Sequence, residues 1–178
     1  FSFETRPELL NHEILDKLYA AGCRAINFGV EDIHPEILKM IHRKPIELEK
    51  VMDTVHHAES LGIRTTCFFI IGLPGSTRQT IQETLEFSRK LRISHADYKI
   101  ATPYPGTALY TMAKANNWIT KEGYDNLGGY SSTMKINDEL DPEYLEQVCN
   151  DAFKKFYIRP GYILRELKKG NLIAKTRM

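Results

Sequence analysis

The stretch Thr65 to Thr77, TTCFFIIGLPGST, does most to restrict what this chain folds into. Cys67 to Ile71 is an unbroken apolar run with aromatic and β-branched side chains, the composition of a short strand buried on both faces. Gly72-Leu73-Pro74-Gly75 then breaks the run. Ser76 or Thr77 follows as an N-cap, because a hydroxyl accepts a bond from an orphan backbone N–H of the first helical turn. The pattern is strand, tight turn, helix. In parallel α/β folds ligands collect at that end of the strands, where loops and helix N-termini converge.

The same pattern repeats along the chain. Phe1 to Thr5 reads as the end of a strand. Pro7 to Ala21 reads as one helix, with Leu10, Ile14, Leu15 and Leu18 on its apolar face and Gly22 as its stop. Arg24 to Val30 is the next strand and ends in Gly29-Val30-Glu31-Asp32. Helices are expected over Pro35 to Ile41, over Glu47 to Leu61 (Leu48, Val51, Val55 and Ala58 inward) and over Thr77 to Leu91 (Ile81, Leu85 and Leu91 inward). Ala96 to Ala101 is a fourth strand, closed by Pro103-Tyr104-Pro105-Gly106-Thr107, and Ala108 to Ala115 is a short helix. Strands alternating with helices imply an α/β fold, a parallel sheet with helical crossovers. Four strands do not close a barrel of eight, so the sheet is open or is half of something larger.

After Asn116 the texture changes. Asn126 to Ser132 is polar and shows no period. Asp141-Pro142-Glu143 starts a helix, with Asp141 as cap and Leu145, Val148, Ala152 and Phe156 as the buried face. Pro160 interrupts it, and a short helix runs to Leu167. The basic residues Arg165, Lys168, Lys169, Lys175 and Arg177 read as a solvated tail. Residues 1–116 are thus expected to form the α/β core and residues 117–178 a helical extension packed on it.

A net charge of +1 gives no whole-chain case for nucleic acid as a partner. Cys23, Cys67 and Cys149 lie far apart, which argues against a disulfide framework and leads us to expect a reducing, cytoplasmic setting. No cysteine or histidine pair has zinc spacing, so no metal ligand is assigned. No segment is long and apolar enough to span a membrane. The chain opens at Phe1 inside a strand, so a fragment of a longer protein is expected. An exposed sheet edge there would invite pairing with another chain.

Four places have chemistry to offer. Gly72 to Gly75 either brings backbone N–H groups to a ligand or is a plain turn; it lacks the Gly-Lys-Ser/Thr ending of a nucleotide P-loop. Glu31 and Asp32 either accept from ribose hydroxyls or serve as solvated loop acids, with Asp32 the better candidate for a helix cap. Arg43 either grips a ligand carboxylate or pairs with Glu47 or Glu49. Tyr104 either stacks on a flat ring or plugs the end of the sheet. The histidines read as structural or exposed, and no catalytic residue is assigned.

Taken in order, GVED at Gly29 to Asp32, Arg43-Lys44, FIIGLPGST from Phe69 and PYPGT from Pro103 to Thr107 resemble the strand tips of radical S-adenosylmethionine (SAM) enzymes. Phe156-Tyr157-Ile158-Arg159-Pro160 is similar to the branch with an N-terminal cobalamin-binding domain, which includes the anaerobic magnesium-protoporphyrin monomethyl ester cyclases. The resemblance runs from Phe1 to Leu167. It implies half of a partial, six-stranded (β/α) TIM-like barrel, from the third strand onward, followed by C-terminal helices.

The resemblance also implies cofactors: SAM, a [4Fe–4S] cluster and, in that branch, cobalamin, all in the full-length protein. This chain is expected to hold none of them tightly. The Cys-x3-Cys-x2-Cys cluster motif is absent, and Cys23, Cys67 and Cys149 do not match it. By resemblance Glu31 would bond the SAM ribose and Arg43 the SAM carboxylate. The backbone of Gly72, Leu73 and Pro74 would border the adenine, and Tyr104 would border adenine or substrate. Phe68 stands where some relatives place an aspartate, and Ser76 stands for an acid while still capping a helix. The implied function is radical methylation, cyclisation or oxidation of an apolar or tetrapyrrole-like small molecule, shared with the missing N-terminal half. A methylthiotransferase- or coproporphyrinogen-dehydrogenase-like relative is the alternative inside the superfamily. A non-catalytic binding module on a half-barrel is the alternative outside it.

Overall fold

The computed structural model describes residues 1–121, 123 and 128–168. Lys169, Lys175 and Arg177 of the basic tail, and part of the polar 126–132 stretch, lie outside them. Four strands form one sheet: β1 (Ser2–Thr5), β2 (Ala25–Glu31), β3 (Arg64–Ile71) and β4 (His95–Ile100). All neighbours pair parallel, in the order β1-β2-β3-β4. Sequential order is that of successive staves in a barrel wall, and four staves leave the wall open.

The helices are α1 (His12–Ala20), α2 (Pro35–Met40), α3 (Leu48–Ser60), α4 (Arg78–Lys90), α5 (Ala108–Ala115), α6 (Pro142–Tyr157) and α7 (Pro160–Lys168). The single helix expected over Pro7 to Ala21 is instead a 3-10 turn, Pro7–Leu9, and then α1. Asn11 causes the break. Its side chain accepts from Ile14 N at 2.9 Å, which satisfies an orphan donor only if a helix begins there. In consequence Leu15 is buried while Ile14 is exposed. Thr77, not Ser76, caps α4, and it forms a reciprocal pair of bonds with Thr80. Asp141 caps α6 by accepting from Tyr144 N at 2.8 Å.

One face of the sheet packs against helices. Ile26, Phe28 and Val30 of β2, Cys67, Phe69 and Ile71 of β3 and Ala96, Tyr98 and Ile100 of β4 are all buried there. The opposite face is only half buried and carries Thr66, Phe68 and Ile70 of β3 with Asp97 and Lys99 of β4. So the Cys67–Ile71 run is not buried on both faces: its second face opens onto a cleft. The helices after residue 117 share the same core. Leu145, Val148, Ala152 and Phe156 of α6 belong to one apolar cluster with Ile26, Phe28 and Phe69.

α6 and α7 also seal the β4 edge. Ala101 N donates to Ile71 O on β3, so Ala96, Tyr98 and Ile100 turn their backbone groups to the free side. Tyr157 Oη accepts from Ala96 N at 3.2 Å and donates to Ala96 O at 2.9 Å. Cys149 Sγ lies 3.4 Å from Tyr98 O, and Tyr162 Oη donates to Ser94 O at 2.9 Å. Ile100 N donates to Gly129 O at 2.7 Å. Side chains and a loop thus replace a fifth strand. At the other edge, β1 pairs only with β2 among the described residues.

Replacing Tyr157 with Phe removes both bonds to Ala96 while keeping the ring. An unfolding free energy lower by about 1–2 kcal/mol is expected, since a half-buried donor and acceptor lose their partner. Urea denaturation of wild type and variant reads it.

Candidate functional site

The strand tips converge on a cleft of about 520 Å³. β2 reaches it through a bulge. Gly29 stands opposite Phe68 and Glu31 opposite Phe69, so the register with β3 shifts by one residue between them. A bulge re-aims the side chains beyond it. Glu31 sits at φ +67°, a left-handed conformation that non-glycine residues rarely adopt and that tertiary contacts must hold. Its carboxylate folds back over Gly29, where a Cβ would stand 2.6 Å from Glu31 Oε1. A Cβ at position 29 would therefore displace the Glu31 carboxylate from this position.

Arg43 fixes this arrangement. Its Nη1 lies 3.3 Å from Glu31 Oε1, and its Nη2 donates to Gly29 O at 3.0 Å. Glu8 Oε1 lies 3.7 Å from the same Nη2. The pairing with Glu47 or Glu49, the alternative to gripping a ligand, is absent among the described residues: Arg43 turns to the β2 tip. Burial pushes the Glu31 carboxyl above its ordinary range, and the Arg43 charge and hydrogen bond pull against it without cancelling it. The result is a carboxylate with a raised proton affinity, held by one guanidinium at the rim of the cleft.

The β3 and β4 tips use the same turn chemistry. Ser76 N donates to Leu73 O at 3.0 Å around Pro74 and Gly75 (φ +88°). Thr107 N donates to Tyr104 O at 3.1 Å around Pro105 and Gly106 (φ +87°). Proline second and a positive-φ glycine third are the marks of a type II turn. Each turn feeds a threonine-capped helix, Thr77 into α4 and Thr107 into α5.

Of the residues singled out in the sequence, Glu31, Leu73 and Tyr104 line the cleft. Leu73 is buried and Tyr104 is half exposed at the mouth. Arg43, Gly72 and Pro74 stand behind the lining. Gly72 (φ +76°) faces α6, where an added Cβ would meet Leu145 Cδ2 at 2.9 Å, so that glycine serves helix packing. Phe68, Ile70 and Lys99 also line the cleft and were not assigned from sequence. In β4 the alternation Ala96-Asp97-Tyr98-Lys99-Ile100 places Lys99 on the face opposite the core, whereas Phe68 and Ile70 are apolar like their neighbours and carry no such signal. Beside the cleft, Lys99 Nζ sits 3.4 Å from the centre of the Tyr130 ring and 3.9 Å from Asp97 Oδ2.

Residues 1–88 match the family model described as the radical SAM superfamily. The chain belongs to the radical SAM superfamily. It is 31% identical over 163 residues to an uncharacterized methyltransferase of Pyrococcus horikoshii, covering 92% of this chain and 35% of that protein. It is 24% identical over 152 residues to a bacteriochlorophyllide d C-8(2)-methyltransferase of Chlorobaculum tepidum, covering 85% of this chain and 34% of the relative. Among solved structures, the radical SAM coproporphyrinogen III oxidase of Escherichia coli superposes with a TM-score of 0.63 at 20% identity, over 88% of this chain and 31% of that one. The radical SAM methyltransferase TsrM of Kitasatospora setae, solved with cobalamin and a [4Fe–4S] cluster bound, gives a TM-score of 0.53 at 25% identity, over 57% of this chain and 20% of that one. The chain spans about a third or less of the length of these relatives.

Two further features of this radical SAM chain differ from the sequence expectation. Asp32 is neither solvated nor the α2 cap. It is buried and accepts from His34 N and His34 Nδ1, each at 2.8 Å. His34 Nε2 continues to Glu83 of α4 at 2.7 Å, so one imidazole ties the β2 tip to the helix after β3. Arg165, read as part of a solvated tail, donates to Ile93 O before β4.

The His34 bridge gives a pH dependence. Burial works against the imidazolium, but the bonds to Glu83 and Asp32 and their charges outweigh it and raise the His34 pKa above 6.5. The Glu83 pKa is lowered below 4.5, first by its bond to His34. A raised histidine pKa stabilises the fold below about 6.5 and fades as pH rises through the folded value. A lowered glutamate pKa stabilises above its ordinary value and fades on acidification. Asp32, raised by burial, opposes Glu83 on the acid limb. The stability lost in His34→Gln should be largest between about pH 4.5 and 6.5 and shrink on both sides. Urea titrations of both proteins across pH 4–8 measure it.

Proposed function

We propose that the chain is the C-terminal part of a radical SAM enzyme's core and that its strand-tip cleft forms one wall of the SAM and substrate site. The observation that carries this reading is the Glu31–Arg43 pair, set by a bulge and a left-handed residue at the rim of a largely apolar cleft. Such strain persists at functional sites, where surrounding contacts over-determine it.

The residues fit SAM. A carboxylate has acceptor capacity beyond the one bond from Arg43, which suits paired ribose hydroxyls. Leu73, Phe68 and Ile70 offer an apolar wall for a flat base, and Tyr104 offers a ring at the mouth. Gly72 and Pro74 act from behind by shaping the turn that aims Leu73. Arg43 is engaged by Glu31, Gly29 O and Glu8, so its role in this reading is to orient Glu31. A direct bond to the SAM carboxylate would require it to exchange one of those partners.

The residues do not fit an iron–sulfur cluster. Cys23, Cys67 and Cys149 are each buried, and no group of three His, Cys, Asp or Glu side chains assembles a metal site among the described residues. Burial pushes the Cys67 thiol far up and the Cys149 thiol up to about 11, whereas cluster ligation needs thiolates. The cluster therefore falls to residues outside this chain, and cobalamin is carried over from relatives such as TsrM. With SAM bound, cofactor chemistry supplies the reactive radical or methyl group. The relatives named as methyltransferases favour methyl transfer as the outcome, and the apolar side chains lining the cleft favour an apolar small molecule as its acceptor. The free edge of β1 is the place where the N-terminal half of the same protein would pair, in a reducing, cytoplasmic setting. No described helix is long and apolar enough to cross a membrane.

The test is equilibrium dialysis of SAM, with iron analysis, on the full-length protein reconstituted without oxygen. Glu31→Ala should weaken SAM binding at least tenfold with iron content unchanged. Replacing all three cysteines of this chain with alanine should leave about four irons per protein. SAM binding indifferent to Glu31, or iron lost in the triple variant, would contradict the proposal.

A further inference from the structure

The other end of the sheet carries a basic cavity that the strand-tip cleft does not explain. It lies where the end of α4, the entry to β4 and the first turn of α7 meet. Its volume is about 410 Å³, and Arg89, Lys90, Arg92, Arg159 and Arg165 line it with Tyr162. A shallower cavity of about 490 Å³ shares Arg89 and Arg159 as walls and adds Lys154 and Lys155. No acid lines either cavity among the described residues. The chain as a whole is nearly neutral, with 24 Lys and Arg against 23 Asp and Glu, so this gathering of charge is placement and not composition.

Helix ends account for part of it. α4 and α6 both finish here, and each helix C-terminus carries about half a negative charge that favours cations. Arg159 donates to Arg89 O, and Arg165 to Ile93 O. Carboxylates meet two of the cations: Glu86 lies 3.9 Å from Arg89, and Glu166 lies 3.6 Å from Arg165. These offsets fall short of seven positive side chains. The Nε group of Arg159 is buried without a hydrogen-bond partner, and that of Arg165 has only the Glu166 carboxylate at 3.6 Å. Burial, then the Arg165 and Arg89 charges, press the Arg159 pKa down. Gly161 lines the cavity in the first turn of α7, where a helix leaves its N–H groups unpaired.

We propose that this cavity binds the phosphate group of a small phosphorylated ligand, held by Arg92, Arg159, Arg165 and Lys90 at the start of α7. Guanidinium forks match phosphate oxygens in pairs. A bound dianion removes the repulsion among the arginines. A recess of this size takes a compact anion, whereas a nucleic-acid backbone calls for an extended stripe of charge.

Isothermal titration calorimetry of the full-length protein, with inorganic phosphate, pyrophosphate and AMP at fixed ionic strength, tests this. Saturable binding of at least one of them is expected, weakened at least tenfold by combined Lys90→Ser and Arg92→Ser. Both residues are exposed, and circular dichroism checks that the fold survives. Tightest binding of pyrophosphate identifies a polyphosphate ligand, and tightest binding of AMP a nucleotide. Either supports the site, and the variant separates it from any binding at the strand tips. The proposal is overturned if none of the three saturates at millimolar concentration. It is equally overturned if binding ignores the variant, or if only polyglutamate binds, which would mark an acidic-protein surface. SAM binding is read in a separate assay, so failure here leaves the proposed function standing.

Discussion

An unpaired strand edge is the constraint on which the structure depends. A parallel sheet of four strands has two edges, and each buried backbone group on them needs a partner. At β4 the partners come from after the sheet: Tyr157 takes Ala96, Cys149 meets Tyr98 O, Tyr162 takes Ser94 O and Gly129 takes Ile100 N. This places α6 and α7 beneath the last strand and makes them part of its core. Tyr98 illustrates the coupling. Its ring packs edge-on against Phe153 at 5.2 Å, while its hydroxyl lies 2.7 Å from Ser88 of α4. Among the described residues β1 pairs only with β2 and has no such seal, so the two edges of the sheet are finished differently.

With the edge fixed, the tips can afford irregular backbone. The β2 bulge and the left-handed Glu31 sit beside a β3 strand that is paired on both sides and in unbroken register with β4. Arg43 and the Asp32–His34–Glu83 bridge hold the loop that leaves β2. Glu31 consequently presents one carboxylate to the cleft from a backbone that two separate networks restrain. In the proposed function that rigidity is what a cofactor pocket needs, because a carboxylate that must be ordered on binding costs affinity.

Much of this was legible in the sequence because it is local. The Asp141 cap, and a cap at Ser76 or Thr77, follow from a polar side chain before an apolar helical period, and the turns follow from Pro-Gly. The strand–helix alternation was enough for a parallel sheet, and four ordered tip motifs were enough for the superfamily. What escaped was non-local or competitive. Arg43, between α2 and α3, meets Gly29 O and Glu31 back past α2, while Glu47, the N-cap of α3, and Glu49 are nearer in sequence. Asn11 can continue a helix or cap a new one, and only the packing of Leu15 decides. Cys67 to Ile71 is apolar on both faces, so composition does not say that one face borders a cleft. Lys99 escaped because its neighbours Tyr130 and Asp97 come together only in the fold.

The most direct measurement is hydrogen–deuterium exchange on the reconstituted full-length protein with and without SAM. A SAM site at the strand tips predicts slowed exchange over residues 29–31, 68–74 and 102–107, with no change at the entry to β4. Unchanged exchange over those three tips under saturating SAM would contradict it.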